Sequence, residues 1–140
     1  MIISTRGRYA LRVMIELAER ADRGYIPMKE IAEKQGISLK YLERIVPVLV
    51  KNGLLEGVHG KCGGYRLTKE PKAYKVGEIL RLTEGDLAPV SCLECGAERC
   101  EHMSDCRTLP LWNNLHDLIN DYLDSVTLSD LVARNIHPVK

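Results

Sequence analysis

What most constrains this chain is an order of events: three amphipathic segments, then at once a glycine-rich hairpin. Ala10, Val13, Met14, Leu17 and Ala18 fall on one face of a helix that Ser4 or Thr5 is placed to cap. Asp22-Arg23-Gly24 turns the chain, and Met28, Ile31, Ala32 and Gln35 mark a short second helix, opened by Pro27 and ended by Gly36. Ser38 caps a third, in which Leu42, Ile45, Val46, Leu49 and Val50 repeat the spacing before Asn52-Gly53 closes it. Pro47 removes the bond to the Glu43 carbonyl, so a kink is expected at mid-length. Helix, glycine turn, then a helix opened by serine is the helix-turn-helix pattern. Residues 54–58 and 65–67 then read as two short strands around His59-Gly60-Lys61-Cys62-Gly63-Gly64, a hairpin in the position of a wing.

Charge agrees with this reading once it is divided along the chain. The 140 residues carry 20 Lys+Arg and 19 Asp+Glu, a net charge of +1. Residues 1–75 hold fifteen Lys/Arg and eight Asp/Glu, a net +7, and residues 76–140 hold five and eleven, a net −6. A basic half is what binding to a phosphate backbone requires. On the third helix Lys40, Tyr41, Glu43, Arg44 and Lys51 lie opposite the apolar face. The first turns of such a helix enter the major groove. There Arg44 can donate to guanine, while Glu43 can accept only from cytosine N4 and repels phosphate, which makes it a discriminator. His59, Gly60 and Lys61 of the hairpin are expected in or beside the minor groove, the glycines letting backbone approach phosphate.

A composition of 45% hydrophobic and 28% charged residues describes one or at most two small folded domains and excludes a disordered chain. The longest apolar run, Ile45 to Val50, is too short for a bilayer, and the chain begins polar at Ser4-Thr5-Arg6, so a cytoplasmic protein with no membrane partner is expected. No nucleophile–base pair or phosphate loop is evident, and the chain is expected not to be an enzyme. A thiol oxidoreductase using Cys92-x2-Cys95 is the enzymatic alternative.

Four of the five cysteines, Cys92, Cys95, Cys100 and Cys106, lie within fifteen residues, while Cys62 stands alone in the wing. Clustered thiols in an intracellular chain point to a metal or redox centre more than to a disulfide framework. Four thiolates suit either tetrahedral zinc or an iron-sulfur cluster, and spacing alone leaves both open. Glu94, Glu98, Glu101 and Asp105 stand among the thiols with Arg99 to offset them, so the loop is expected to be poorly ordered without metal. The same carboxylates are expected to lower the potential of a cluster. Beyond the loop, Leu111, Trp112, Leu115, Leu118, Ile119, Tyr122, Leu123 and Val126 give a helix a stripe wider than one domain contact needs, which predicts packing against a second copy.

The chain resembles the IscR/CymR/NsrR group of bacterial winged-helix transcription regulators. The resemblance is carried by Ser4-Thr5-Arg6-Gly7-Arg8-Tyr9-Ala10-Leu11, by Gly36-Ile37-Ser38-Leu39-Lys40-Tyr41-Leu42-Glu43, by Lys51-Asn52-Gly53-Leu54 and by Gly63-Gly64-Tyr65. It continues through Val76-Gly77-Glu78-Ile79 and Leu111-Trp112 to Thr127-Leu128-Ser129-Asp130-Leu131, nearly the whole chain. It implies a mainly α fold with a small β-hairpin: a winged helix-turn-helix domain over 1–75, then over 76–140 a linker helix, a cysteine loop at about 90–107 and a long dimerisation helix.

The resemblance also implies a homodimeric repressor reading palindromic double-stranded operator DNA. Ser38, Lys40, Tyr41, Glu43 and Arg44 would lie in the major groove and the wing in the minor groove. Members of the group carry Arg where His59 stands. Cluster-binding members place three cysteines before the dimer helix, which Cys92, Cys100 and Cys106 match, although Cys92 and Cys100 are spaced more widely here. The fourth ligands of such members, a His or an N-terminal carboxylate, find Leu109 and Arg8 at the matching positions. Cys95 is then the candidate fourth ligand, with His102 or a residue of the other subunit as alternatives. An iron-sulfur cluster is implied, [2Fe–2S] favoured over [4Fe–4S], with zinc as the alternative. Proteins of cysteine biosynthesis or iron-sulfur assembly are implied as further partners.

Overall fold

The computed structural model describes residues 3–139. Helix α1 (Thr5–Glu19) is capped by Ser4, whose hydroxyl accepts from the Gly7 amide. Helix α2 (Met28–Gln35) starts after Pro27 and ends at Gly36, which takes the left-handed conformation at φ 63°. Helix α3 (Leu39–Lys51) is capped by Ser38, whose side chain accepts from the Tyr41 amide at 3.1 Å, and it includes Pro47.

The hairpin follows as strands β1 (Leu55–Val58) and β2 (Gly64–Leu67), antiparallel, with Leu55 opposite Leu67 and Val58 opposite Gly64. It is tied to the rest of the domain at one edge, where Ile26 and Tyr65 exchange two backbone hydrogen bonds of 2.9 and 2.8 Å. Gly64 is required at that contact. Its φ is 155°, and a Cβ there would run into the Ile26 carbonyl, which is backbone and cannot give way.

The remaining helices are α4 (Val76–Glu84), α5 (Leu109–Ser125) and α6 (Leu128–Ala133). The chain is thus mainly helical with one two-stranded hairpin. Ala10, Val13, Met14, Leu17, Ile31, Leu42, Ile45, Val46 and Leu49 are buried together, and these are the faces the three periodicities predict. The same core contains Tyr74 and Leu128, each 0% exposed. Leu128 belongs to α6, which therefore returns to pack on the winged-helix part of the chain. A capping box of Thr127 and Asp130 starts α6, and the chain is held there by Val76 N to Val126 O and Leu128 N to Tyr74 O, both 2.9 Å.

A second, smaller cluster joins α4 to α5: Val76, Leu80 and Leu87 are buried against Ile119, Leu123 and Val126. That contact uses part of the α5 stripe. Leu111, Leu115 and Leu118 remain 58%, 37% and 60% exposed, and α5 has no buried residue. Among the described residues, no helix is long and apolar enough to cross a membrane.

Candidate functional site

The residues expected to read DNA gather on one side of the winged-helix part. Lys40, Glu43 and Arg44 are exposed on the outer face of α3, and Tyr41 is half-buried beside them. Ser38, Lys40, Tyr41 and Arg44 together line one shallow cleft. Ser38 spends its acceptor on the Tyr41 amide, which leaves its hydroxyl proton free to donate outward. In the hairpin His59, Gly60, Lys61 and Cys62 are exposed at the tip, with Gly60 at φ 113°. A groove lined by Pro47, Val50, Lys51, Val58, His59 and Tyr65 separates α3 from the hairpin. The helix face and the hairpin tip thus flank a single groove, the arrangement needed to contact adjacent grooves of a duplex.

The base of the hairpin is tied together by side chains. Glu56 and Arg66 stand opposite each other on the two strands and form an ion pair, and the Arg66 guanidinium lies 4.4 Å from the centre of the Tyr25 ring. Below them the Tyr74 hydroxyl donates to the Leu54 carbonyl at 2.8 Å and accepts from the Thr68 and Lys69 amides at 2.9 and 3.0 Å.

The cysteine loop has a different character. A short 3-10 turn covers Ser91–Leu93 and further turns follow, but no residue from Pro89 to Thr108 is buried. All four thiols are free, Cys92 and Cys106 half-buried, Cys95 and Cys100 exposed. The Cys106 thiol is held below its ordinary range because the Thr108 hydroxyl, 3.4 Å from Sγ, and the amides that open α5 stabilise the thiolate, against the opposing charge of Asp105. Asp86 pins the start of the loop, accepting from the Ala88 amide at 2.8 Å and the Cys95 amide at 2.6 Å; these bonds hold its carboxyl below the usual range.

The donor set, four thiols on one segment, fits zinc or an iron-sulfur group in kind and number. Its geometry is not that of a finished cage. Among the described residues, no three His, Cys, Asp or Glu side chains converge as they would around a metal ion. Gathering the thiols falls to the loop, and no buried side chain holds it in its present course.

A family model described as Rrf2, iron-dependent transcriptional regulator, matches residues 3–134. The chain belongs to the Rrf2 family. It is 38% identical over 132 residues to the HTH-type transcriptional regulator IscR of Pectobacterium atrosepticum, covering 94% of this chain and 79% of that one, and 37% identical over the same length to IscR of Yersinia pseudotuberculosis. Among solved structures, CymR, the global cysteine regulator of B. subtilis, superposes with a TM-score of 0.80 at 38% identity, covering 96% of this chain and 98% of CymR. IscR of T. potens gives 0.76 at 34% identity, covering 97% and 89%. This Rrf2 protein is therefore a winged helix-turn-helix transcriptional regulator, and the relatives named here are regulators rather than enzymes.

In this Rrf2 chain two groups of neighbours join site residues to others that sequence patterns do not single out. Behind Tyr41, Tyr9 of α1 meets it edge to face with ring centroids 5.3 Å apart, and Arg12 lies 5.4 Å over Tyr9. Arg12 also donates to Gln35, whose amide donates to the buried Glu16 at 2.6 Å, so the back of the helix-turn-helix is one polar network. Around the loop, Arg81, Asp86, Leu93, Cys95, His116 and Asn120 line a cleft between α4, the loop and α5. His116 is half-buried there. The one sequence signal for close helix contact was glycine inside a helical pattern, at Gly7 and Gly77.

Proposed function

We propose that this chain is a dimeric repressor that reads palindromic double-stranded operator DNA and whose activity is controlled by an iron-sulfur cluster held in the cysteine loop. Residues 1–75 form the reading part; residues 76–140 supply sensing and dimerisation. Ser38, Lys40, Tyr41, Glu43 and Arg44 enter the major groove, Arg44 donating to guanine and Glu43 excluding bases that offer no donor. His59, Gly60 and Lys61 bring the wing to the minor groove, where a neutral His59 attracts less than an arginine would. Leu111, Leu115 and Leu118, one stripe of α5 left uncovered by α4, pack against the same stripe of a second copy and set the spacing of two reading heads.

Cys92, Cys100 and Cys106 hold the cluster, with Cys95 the candidate fourth thiolate and His102 or a residue of the second subunit the alternatives. A cluster there, [2Fe–2S] in preference to [4Fe–4S], would supply redox and ligand chemistry through which iron status, nitric oxide, oxidants or cysteine supply could be read. The observation that carries the reading is the concentration of four free thiols on one exposed loop, seated between the helix that contacts the DNA-reading part and the helix with the uncovered apolar stripe. Cysteine-biosynthesis or iron-sulfur-assembly proteins are the protein partners this reading favours.

Visible absorption of anaerobically purified protein tests it. Sulfur-to-iron charge-transfer bands are expected, lost in Cys92→Ser, Cys100→Ser and Cys106→Ser. A colourless protein carrying stoichiometric zinc would replace the cluster by a structural zinc site. Weak, salt-insensitive association with promoter DNA would refute DNA reading itself.

A further inference from the structure

Helix α4 takes part in two fastenings, each with a carboxylate placed where a glycine leaves room. Along its length, Arg81 donates to both Asp124 oxygens at 2.9 Å and to Asn120 at 2.7 Å, linking α4 to α5, with Gly77 one turn earlier facing the same carboxylate. A Cβ on Gly77 would meet the Asp124 carboxylate and lie 3.0 Å from Arg81 Nη1. At its end, Glu84 Oε1 accepts from the Ser4 amide at 3.0 Å and the Ser4 hydroxyl at 2.6 Å. The Ser4 hydroxyl in turn accepts from Gly7 N, closing the first turn of α1. A Cβ on Gly7 would meet the Glu84 carboxylate, which accounts for a glycine inside a helix that it does not favour.

Two residues beyond Glu84, Asp86 holds the amide of Cys95. One short run, Glu84-Gly85-Asp86, therefore grips the cap of α1 with one carboxylate and the cysteine loop with the other, and Gly85, at φ 80°, permits the reversal between them. The turn that Ser4 caps is itself against the DNA-reading face. Ser4, Thr5, Arg6, Tyr41 and Thr83 line a common cleft, and Tyr9, one turn on, packs against Tyr41. Tyr41 also lines the cleft with Ser38, Lys40 and Arg44.

We infer that Glu84 is a positioning residue for DNA binding, which passes a change in the cysteine loop to Tyr41 within one protomer by holding Ser4 and the first turns of α1. This rests on the proposed control of DNA binding by the loop. It adds to that proposal a route that needs no change in dimer spacing. A rearrangement that draws Cys95 from Asp86 frees one of the two fixings of the run, and the grip on Ser4 is the other. The bias on DNA binding is then set by how differently the loop's states hold Asp86.

The test uses metal-free Cys62→Ser protein, so that iodoacetamide reaches only the loop thiols, and a duplex selected from random-sequence DNA by the unmodified protein. Anisotropy titrations compare the unmodified and alkylated forms. Alkylation is expected to weaken binding about tenfold, a common size of coupling between sites. In Glu84→Ala this ratio should fall below about twofold, while Glu84→Gln, whose amide oxygen accepts the same two bonds, should keep it. A purely structural role for Glu84 would weaken both forms alike and leave the ratio unchanged. Ser4→Ala, which removes the shorter bond, should reduce the ratio and gives a second reading if Glu84→Ala does not fold. Alkylation should also shift the Thr5 and Arg6 amide resonances in the Cys62→Ser protein. A full ratio retained in folded Glu84→Ala or in Ser4→Ala overturns the inference. No effect of alkylation on the Cys62→Ser protein overturns control by the loop, and the inference with it.

Discussion

The Tyr74 hydroxyl is the test of whether the wing is held by its own hairpin or by the helical core beneath it. Tyr74→Phe keeps the buried ring and the Lys69 ammonium lying 4.9 Å from its centre, and removes only the oxygen. Three backbone groups then lose a partner: the Leu54 carbonyl and the Thr68 and Lys69 amides. Each would cost about 1–3 kcal/mol if wholly buried. Thr68 and Lys69 are exposed residues whose amides recover part of this from water, and Leu54 O keeps a weak branch, 3.4 Å long, of the hydroxyl bond that Thr68 makes mainly to Gly53 O at 2.7 Å. The net expectation is therefore about 2 kcal/mol, near the cost of one orphaned group rather than three. In urea the midpoint should fall with an unchanged m value, and Tm should drop by roughly 5–8 °C for a chain of this size. Amide exchange at Thr68 and Lys69 should accelerate more than exchange within α1. A loss under about 0.5 kcal/mol would refute the claim that this hydroxyl anchors the hairpin, because a deletion inside a buried network should exceed that value.

On the DNA-reading face, Arg44→Ala should cost about 1–3 kcal/mol of specific affinity and relax discrimination at one base pair. Lys40→Ala should instead weaken all sequences alike and reduce the slope of log K against log salt by about 1, read by titration at several salt concentrations. Asp124 tests the α4–α5 fastening through pH. Arg81, by hydrogen bond and charge, holds its carboxyl below its ordinary value, so the stabilisation is present above about pH 4 and is lost as pH falls through the lowered folded value. Both side chains are more than a third exposed, so the effect should be about 1 kcal/mol or less. Asp124→Asn should remove that part of the acid sensitivity; equal acid unfolding curves for both proteins would contradict it.

The helices of the reading part were legible because their signals are local. Ser4 caps α1, Gly36 takes the left-handed position after α2, and Ser38 opens α3, each where residue type and spacing put it. Pro47 stands inside α3, which continues as a helix on both sides of it. The part of the α5 stripe that meets α4 could not be separated by periodicity from the part that stays exposed, since both lie on one apolar face. Least legible were contacts between segments far apart in the chain: Glu84 on Ser4, Asp86 on Cys95, Arg81 on Asp124. Polar pairs of this kind leave no period. Gly7 and Gly77, small residues inside helical patterns, were their local trace. Thr127-x-x-Asp130 is a local capping signal that marks the start of α6, but nothing in it says that Leu128 will be buried against α1.

The return of α6 has a consequence for how the protein comes into being. Leu128 completes a core begun at Ala10, and Thr127 pairs as a bridge with Lys75, so the reading head cannot finish packing until residues 127–133 have left the ribosome. By then the cysteine loop and α5 have been synthesised. A chain that stops before Leu128 also lacks the last wall of the core that α1, α2 and α3 share. A chain cut before Thr127 is therefore expected to lose stability in its winged helix-turn-helix part as well as its last helix.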